Sequence, residues 1–191
     1  TAVAIAHHAD DSIETFFINL LRGTGLRGLT GISTQVGRII RPLMFASRKE
    51  ILEYAVANRI PFREDSSNRS TKYLRNKIRL GLIPRIREIN PKFTLLMRRN
   101  LARLTDAQLF INHGIERIRE EAVESRDGID TIRPERIDPA FPREFVIYEL
   151  LSSAYGFKGD TVDALCRALE QNATGKRFYA RDRVATIDRG A

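Results

Sequence analysis

Residues 6–29 read AHHADDSIETFFINLLRGTGLRGL and follow the apolar run AVAIA of residues 2–6. An apolar run of that length suits a buried strand, and Asp10 or Ser12 is placed to cap the helix after it. Ile13, Phe16, Phe17, Leu20 and Leu21 then supply a core face, while Asp11, Glu14 and Thr15 gather on the first turn. Arg22, Gly23, Thr24 and Gly25 close the helix, the glycines allowing a left-handed exit and a close backbone approach to a ligand. Two histidines and three acids therefore sit at the carboxyl end of a strand, where ligands bind in open parallel sheets. Taken singly, the acids could complement the helix dipole and the glycines could form an ordinary cap. His7 and His8 could be satisfied strand-end histidines. Metal binding is a further option, although the spacing matches no zinc signature. It is the conjunction that points to a ligand pocket.

Working outward, residues 38–42 (RIIRP) read as a second short strand ended by Pro42. Ser47 and Glu50 form a capping box for the helix SRKEILEYAVANR, with Ile51, Leu52, Ala55 and Val56 facing inward. Strand, helix, strand, helix predicts an α/β layer. A polar loop, residues 60–70 (IPFREDSSNRS), leads to residues 71–89, a helical pattern interrupted by Gly81 and Pro84 and read as two short helices with a bend. Asn90 and Pro91 open a long helix whose Phe93, Met97, Leu101, Leu104, Ile111, Ile115 and Ile118 recur at threes and fours to about Val123. His113, on that helix, reads as a surface or packing residue. A domain boundary is placed at the start of this helix, giving 1–90 and 91–191. The remainder predicts a turn at residues 126–128, a strand at 129–132, helices at 139–155 and, capped by Asp160, to 171, and a β-pair of 177–180 with 183–187.

Charge is unevenly spread over the 191 residues. Lys and Arg stand against Asp and Glu at 8 to 7 in residues 1–68, 11 to 1 in 69–103 and 13 to 16 in 104–191, so one segment carries the excess of the net +8. Arg75, Lys77, Arg79, Arg85 and Arg87 lack acidic partners four positions on, which favours a phosphate-binding face over a solvated one. A polyanion partner, most often a nucleic acid, is expected. The single cysteine, Cys166, sits in ALCRAL and reads as helix core; it excludes an intrachain disulfide and a CxxC site, and suits a reducing cytoplasm. No apolar run approaches the roughly 20 residues of a membrane span.

AHHADDSIETFFINLLRGTGLRGL, IIRPLMFASRKEILEYA and FREDSSNRSTKYLRNKIRLGLIPRIREINP, in that order, resemble the bacterial tRNA(Ile)-lysidine synthetases, members of the N-type ATP pyrophosphatase (PP-loop) group. The resemblance runs from Ala6 to Pro91. The first block is shared with tRNA thiolation enzymes, whereas DSSN followed by RN, IR and P is peculiar to the synthetases. Beyond Pro91 the likeness is one of architecture. The resemblance implies the C-terminal part of a parallel-sheet, adenine nucleotide alpha hydrolase-like α/β domain, followed by a mainly helical linker or tRNA-binding domain with a terminal β-pair. It also implies a cytoplasmic ligase that uses ATP to adenylate C2 of the wobble cytidine, C34, of a tRNA(Ile) with a CAU anticodon. The amine of free L-lysine then displaces AMP and gives lysidine.

On this resemblance His7, His8, Asp10, Asp11 and Glu14 line the reaction pocket, with Asp11 and Glu14 candidates for lysine and Asp11 for magnesium. Ala6, Arg22, Gly23 and Gly25 would meet ATP; Arg63, Arg75, Asn76 and Arg79 would hold the tRNA. One departure stands out. The family's phosphate loop, S-G-G-x-D-S, matches nothing in these residues. The chain is therefore expected to be a piece of the enzyme, inactive toward ATP alone and leaving an open sheet edge. A homodimer is left open. Two alternatives remain: a 2-thiocytidine type of thiolation enzyme, whose cysteine pairs are absent here, and a non-catalytic RNA-binding module using Tyr73 and Phe93 as stacking surfaces.

Overall fold

The computed structural model describes residues 1–63 and 73–188, which divide into two compact units, Thr1–Leu109 and Phe110–Ala191. The division falls within the long helix, where the sequence expectation put it at the helix's start. The DSSN loop lies outside the described residues.

In the first unit, β1 (Val3–Ala4) pairs in parallel with β3 (Ile39–Ile40), and β3 pairs antiparallel with β2 (Gln35–Val36), giving the order β1-β3-β2. The α/β layer is present, but β2 escaped the sequence reading. A two-residue strand is too short to show alternation, and only the turn at Gly37, with φ of 56°, marks it. Between β1 and β2 lie α1 (Ala9–Arg22) and the short α2 (Leu26–Leu29).

The N-cap of α1 is His8 rather than Asp10 or Ser12, because Asp11 reaches back to accept the His8 N–H at 2.9 Å. Ser12 instead accepts from Ile32 N–H at 2.9 Å and ties the loop after α2 to the helix. Gly31 (φ 78°) lies so close that a Cβ there would come within 2.2 Å of Ser12 Oγ. Gly23 ends α1 as expected, at φ 72° and with its N–H on Leu20 O. Leu20 and Leu21 are not core: they are 49% and 63% exposed.

Ser47 and Glu50 form the expected capping box of α3 (Arg48–Ala57), although Val56 is 68% exposed. The predicted bend in the basic segment takes another form. α4 (Leu74–Lys77) and α5 (Ile83–Ile89) are joined by a π-helical turn, Ile78–Leu82, and Pro84 sits in the first turn of α5, where its missing N–H costs little. Ile13, Ile18, Ile78, Ile83, Met97 and Leu101 form the core of this unit, with Phe16, Phe17 and Phe93 against it.

Asn90 leads into α6 (Phe93–Ala122), which ends one residue short of the expected Val123. In the second unit, β4 (Val123–Arg126) and β5 (Ile129–Ile132) form a hairpin whose turn residues, Asp127 and Gly128, both have positive φ. α7 (Arg143–Ala154) and α8 (Gly159–Glu170) follow, the latter capped at Lys158 rather than Asp160, and β6 (Arg177–Tyr179) pairs with β7 (Val184–Thr186). Leu150, Val162, Ala122, Ala168, Val146 and Ile187 are the most deeply buried residues of the core here. Cys166 is half-buried on α8, and burial pushes its thiol pKa up, as a packing residue requires. His113 is exposed.

Candidate functional site

Four elements of the first unit build the site. β1 ends at Ala4 and delivers His7 and His8, the first turn of α1 presents Asp10, Asp11 and Glu14, α3 offers its first backbone N–H, and the basic helix α4 to α5 lies against α1. Glu14 is 1% exposed. Arg79 forks onto it, Nε donating to Oε1 at 2.6 Å and Nη2 to Oε2 at 2.8 Å, while Nη2 also reaches Asp11 Oδ1 at 3.3 Å. Arg75 adds Nε at 3.8 Å from Glu14 and donates to Thr15 Oγ1 at 3.3 Å. Arg87 Nη2 donates to Asp10 Oδ1 at 2.9 Å, and Arg48 N–H to Asp10 Oδ2 at 2.7 Å. His8 stands between the acids, Nε2 at 3.4 Å from Asp11 and Nδ1 at 3.9 Å from Asp10.

The basic residues were expected to project as a phosphate-binding face. The structure instead turns Arg79, Arg75 and Arg87 onto three carboxylates, leaving Lys77 and Arg85 exposed. The acidic partners missing one turn away come from more than 60 residues earlier in the chain. A bidentate geometry with further hydrogen bonds is what a buried ion pair needs to offset desolvation. The hydrogen bonds to Glu14 are the chief reason the Arg79 guanidinium is held above its ordinary pKa; burial opposes them, and the charges of Glu14, Asp11 and Asp10 add to the rise. A cleft of about 660 Å³ opens beside this cluster, bordered by His8, Asp10, Glu14, Arg79, Arg87 and Ile83.

Not every predicted residue joins the cluster. Arg22, Gly23 and Gly25 lie at the other end of α1, with Arg22 about 12 Å along the axis from Glu14 and about 18 Å from Asp10 at ~1.5 Å per residue, so the structure does not bring them to the acids. Ala6 follows β1 and is exposed, as is Arg63; Asn76 is buried on α4. Sequence reasoning missed Arg41, whose Nε donates to His7 Nδ1 at 3.1 Å, and the backbone of Arg48. The available signal for Arg41 was its place just after a strand parallel to the one that delivers the histidines. The acids do not fit a magnesium ion as they stand, because arginines hold them, and no described group of three ligating side chains is arranged around a metal. No helix among the described residues is long and apolar enough to cross a membrane.

Residues 1–86 match the model of the PP-loop domain, and residues 125–191 match that of the TilS substrate binding domain. The tRNA(Ile)-lysidine synthase of Parabacteroides distasonis is 39% identical over 180 residues, which cover 94% of this chain and 40% of that protein. That of Bacteroides thetaiotaomicron is 35% identical over 182 residues, covering 94% and 41%, and that of Geobacter sulfurreducens 33% over 187 residues, covering 91% and 39%. The chain thus spans about two fifths of the length of these relatives. With both domains matched in order and this identity held along nearly its whole length, the chain carries a PP-loop domain followed by a TilS substrate binding domain and is similar, over the span it covers, to the tRNA(Ile)-lysidine synthases.

Proposed function

We propose that this chain forms the acid-lined part of an enzyme that modifies tRNA(Ile) in the cytoplasm, using ATP to activate C2 of the wobble cytidine and joining L-lysine there. The carbonyl oxygen at C2 attacks the α-phosphorus of ATP and pyrophosphate leaves; the lysine amine then attacks C2, AMP leaves with the oxygen, and the amine gives up its proton. The observation that carries this reading is the fork of Arg79 on buried Glu14, beside Asp11 and His8, in a chain that matches both domains of the family.

Asp11 and Glu14 are proposed to receive lysine. Three arginines face three carboxylates, so the cluster carries little net formal charge, and an incoming amine is not stabilised as an ammonium as strongly as it would be beside unpaired acids. That favours the neutral amine, the nucleophilic form. His8, between Asp10 and Asp11, is placed to pass the departing proton to a carboxylate. Contact with RNA phosphates falls to exposed Lys77 and Arg85 and to the outer part of Arg75. The second unit is proposed to bind the tRNA away from the reacting base.

The test uses Glu14→Gln, which keeps the volume and one acceptor for Arg79, and Asp11→Asn in the full-length protein. Both are expected to lower lysidine formation on tRNA(Ile), read by mass spectrometry of nucleosides, at least a hundredfold while tRNA affinity changes less than about twofold. Unchanged product would sink the proposal.

A further inference from the structure

Two adjacent histidines in this site have partners of opposite kind. His8 faces carboxylate oxygens, which accept. His7 faces a guanidinium. Because β1 and β3 are parallel neighbours, the residues that follow them meet, and Arg41 Nε donates to His7 Nδ1 at 3.1 Å. Arg41 is itself anchored, its Nη1 donating to Ser33 O at 2.8 Å. A guanidinium has donors and no acceptor, so Nδ1 presents its lone pair and the ring proton sits on Nε2. No hydrogen bond to Nε2 is found among the described residues.

We propose that Arg41 is a positioning residue that holds His7 as the Nε2–H tautomer, so that His7 meets its ligand as a hydrogen-bond donor to an anionic oxygen and not as a base. The inference deepens the functional reading above: in a pocket that handles a triphosphate, the oxygen is one of its phosphate oxygens. It also separates the roles of the pair. His8 is left for proton handling, and His7 orients the nucleotide. Arg41 then acts through His7 without touching substrate, as an outer partner that sets tautomer and ring orientation does at a metal site.

The first test is independent of activity. In the chain labelled with 15N-histidine, the His7 Nδ1 resonance is expected at the unprotonated position and Nε2 at the protonated one. Arg41→Met should give a mixture of tautomers, whereas Arg41→Lys, which still donates, should restore the original pattern. An unchanged pattern in Arg41→Met overturns the positioning role. If that variant does not fold, Arg41→Glu decides the matter, since a carboxylate accepts from Nδ1–H and should invert the pattern.

The second test uses the full-length protein. Arg41→Met should raise the KM for ATP about tenfold with kcat changed less than about threefold, the scale of one poorly oriented hydrogen bond to a charged group. His7→Gln, whose amide nitrogen stands in for Nε2–H, should lose about tenfold less activity than His7→Ala. Equal losses in two folded variants overturn the donor role. If the wild-type protein does not ligate lysine, the functional reading fails while the tautomer measurement still decides what Arg41 does to His7.

Discussion

The two units hold themselves together differently. In the first, α1 meets the basic helix through a small apolar core, Ile13, Ile18, Ile78 and Ile83, and beside it buries Asp11, Glu14 and Asn76. In the second, helices α7 and α8 close over a broad apolar cluster in which Leu150 and Val162 have no exposed surface. Burial of apolar area is forgiving of detail, whereas a buried carboxylate tolerates nothing but a well-placed partner. The first unit therefore keeps a costly arrangement at the place where chemistry is proposed. The second also buries one carboxylate, Glu149 on α7, but rests mainly on apolar packing.

The sharpest way to break this contrast is Arg79→Met, which leaves Glu14 buried with only Arg75, at 3.8 Å, as a counter-charge. A loss of about 3–5 kcal/mol is expected, seen as lost hydrogen-exchange protection in α1 and α4 to α5 with α7 and α8 still protected. Replacing both partners, Glu14→Leu with Arg79→Leu, should recover most of that stability and none of the ligase activity. If the double variant is as unstable as the single one, the ion pair is not what separates the units.

The converse change, Leu150→Ala, removes side-chain volume from the fully buried centre of the second core. It should cost about 2–5 kcal/mol, with protection lost in α7 and α8 and kept in α1. Gly31→Ala combines a positive φ with a Cβ that would crowd Ser12, so a smaller loss of roughly 1–3 kcal/mol is expected, confined to the first unit and read from its denaturation midpoint.

In the second unit Tyr155 has its pKa pushed up to about 12 by burial, helped by its hydrogen bond to Asp130. The folded value lies above the unfolded one, so the stabilisation is complete below about pH 10 and is lost as pH climbs from there through 12. Chemical denaturation across that window should show falling stability for the wild type and a shallower fall for Tyr155→Phe. The smallest effect concerns the exposed cations. Lys77→Ala and Arg85→Ala should each flatten the salt dependence of tRNA binding by about one unit of slope, without altering the stability of either unit.

What was legible in the sequence had local causes. Gly23 ends α1 because a left-handed residue is needed there, Ser47 and Glu50 cap α3 across one turn, and the recurrence of apolar residues traces α6 to within a residue of its end. The hairpin turn at Asp127 and Gly128 and the β6–β7 pair follow from similarly short-range signals. The histidines and acids were placed together at a strand end for the same reason. Elements that failed had no local signature. β2 is too short to alternate, Leu20 and Leu21 look like core until the neighbours of α1 are known, and a π-helical turn cannot be told from a bend when Gly81 and Pro84 suggest both.

The residue types of the site, its acids, histidines and arginines, were thus determined by the sequence alone, as was the helix that carries the acids. Only the tertiary structure decided who meets whom. Arg79 joins Glu14 and Arg87 joins Asp10, where a solvent-facing basic stripe had been expected, and Arg41 orients His7. Those pairings span 34 to 77 residues. Helical periodicity reports neighbours three or four positions apart; a charge burial that depends on two elements packing together leaves no trace in either one read alone.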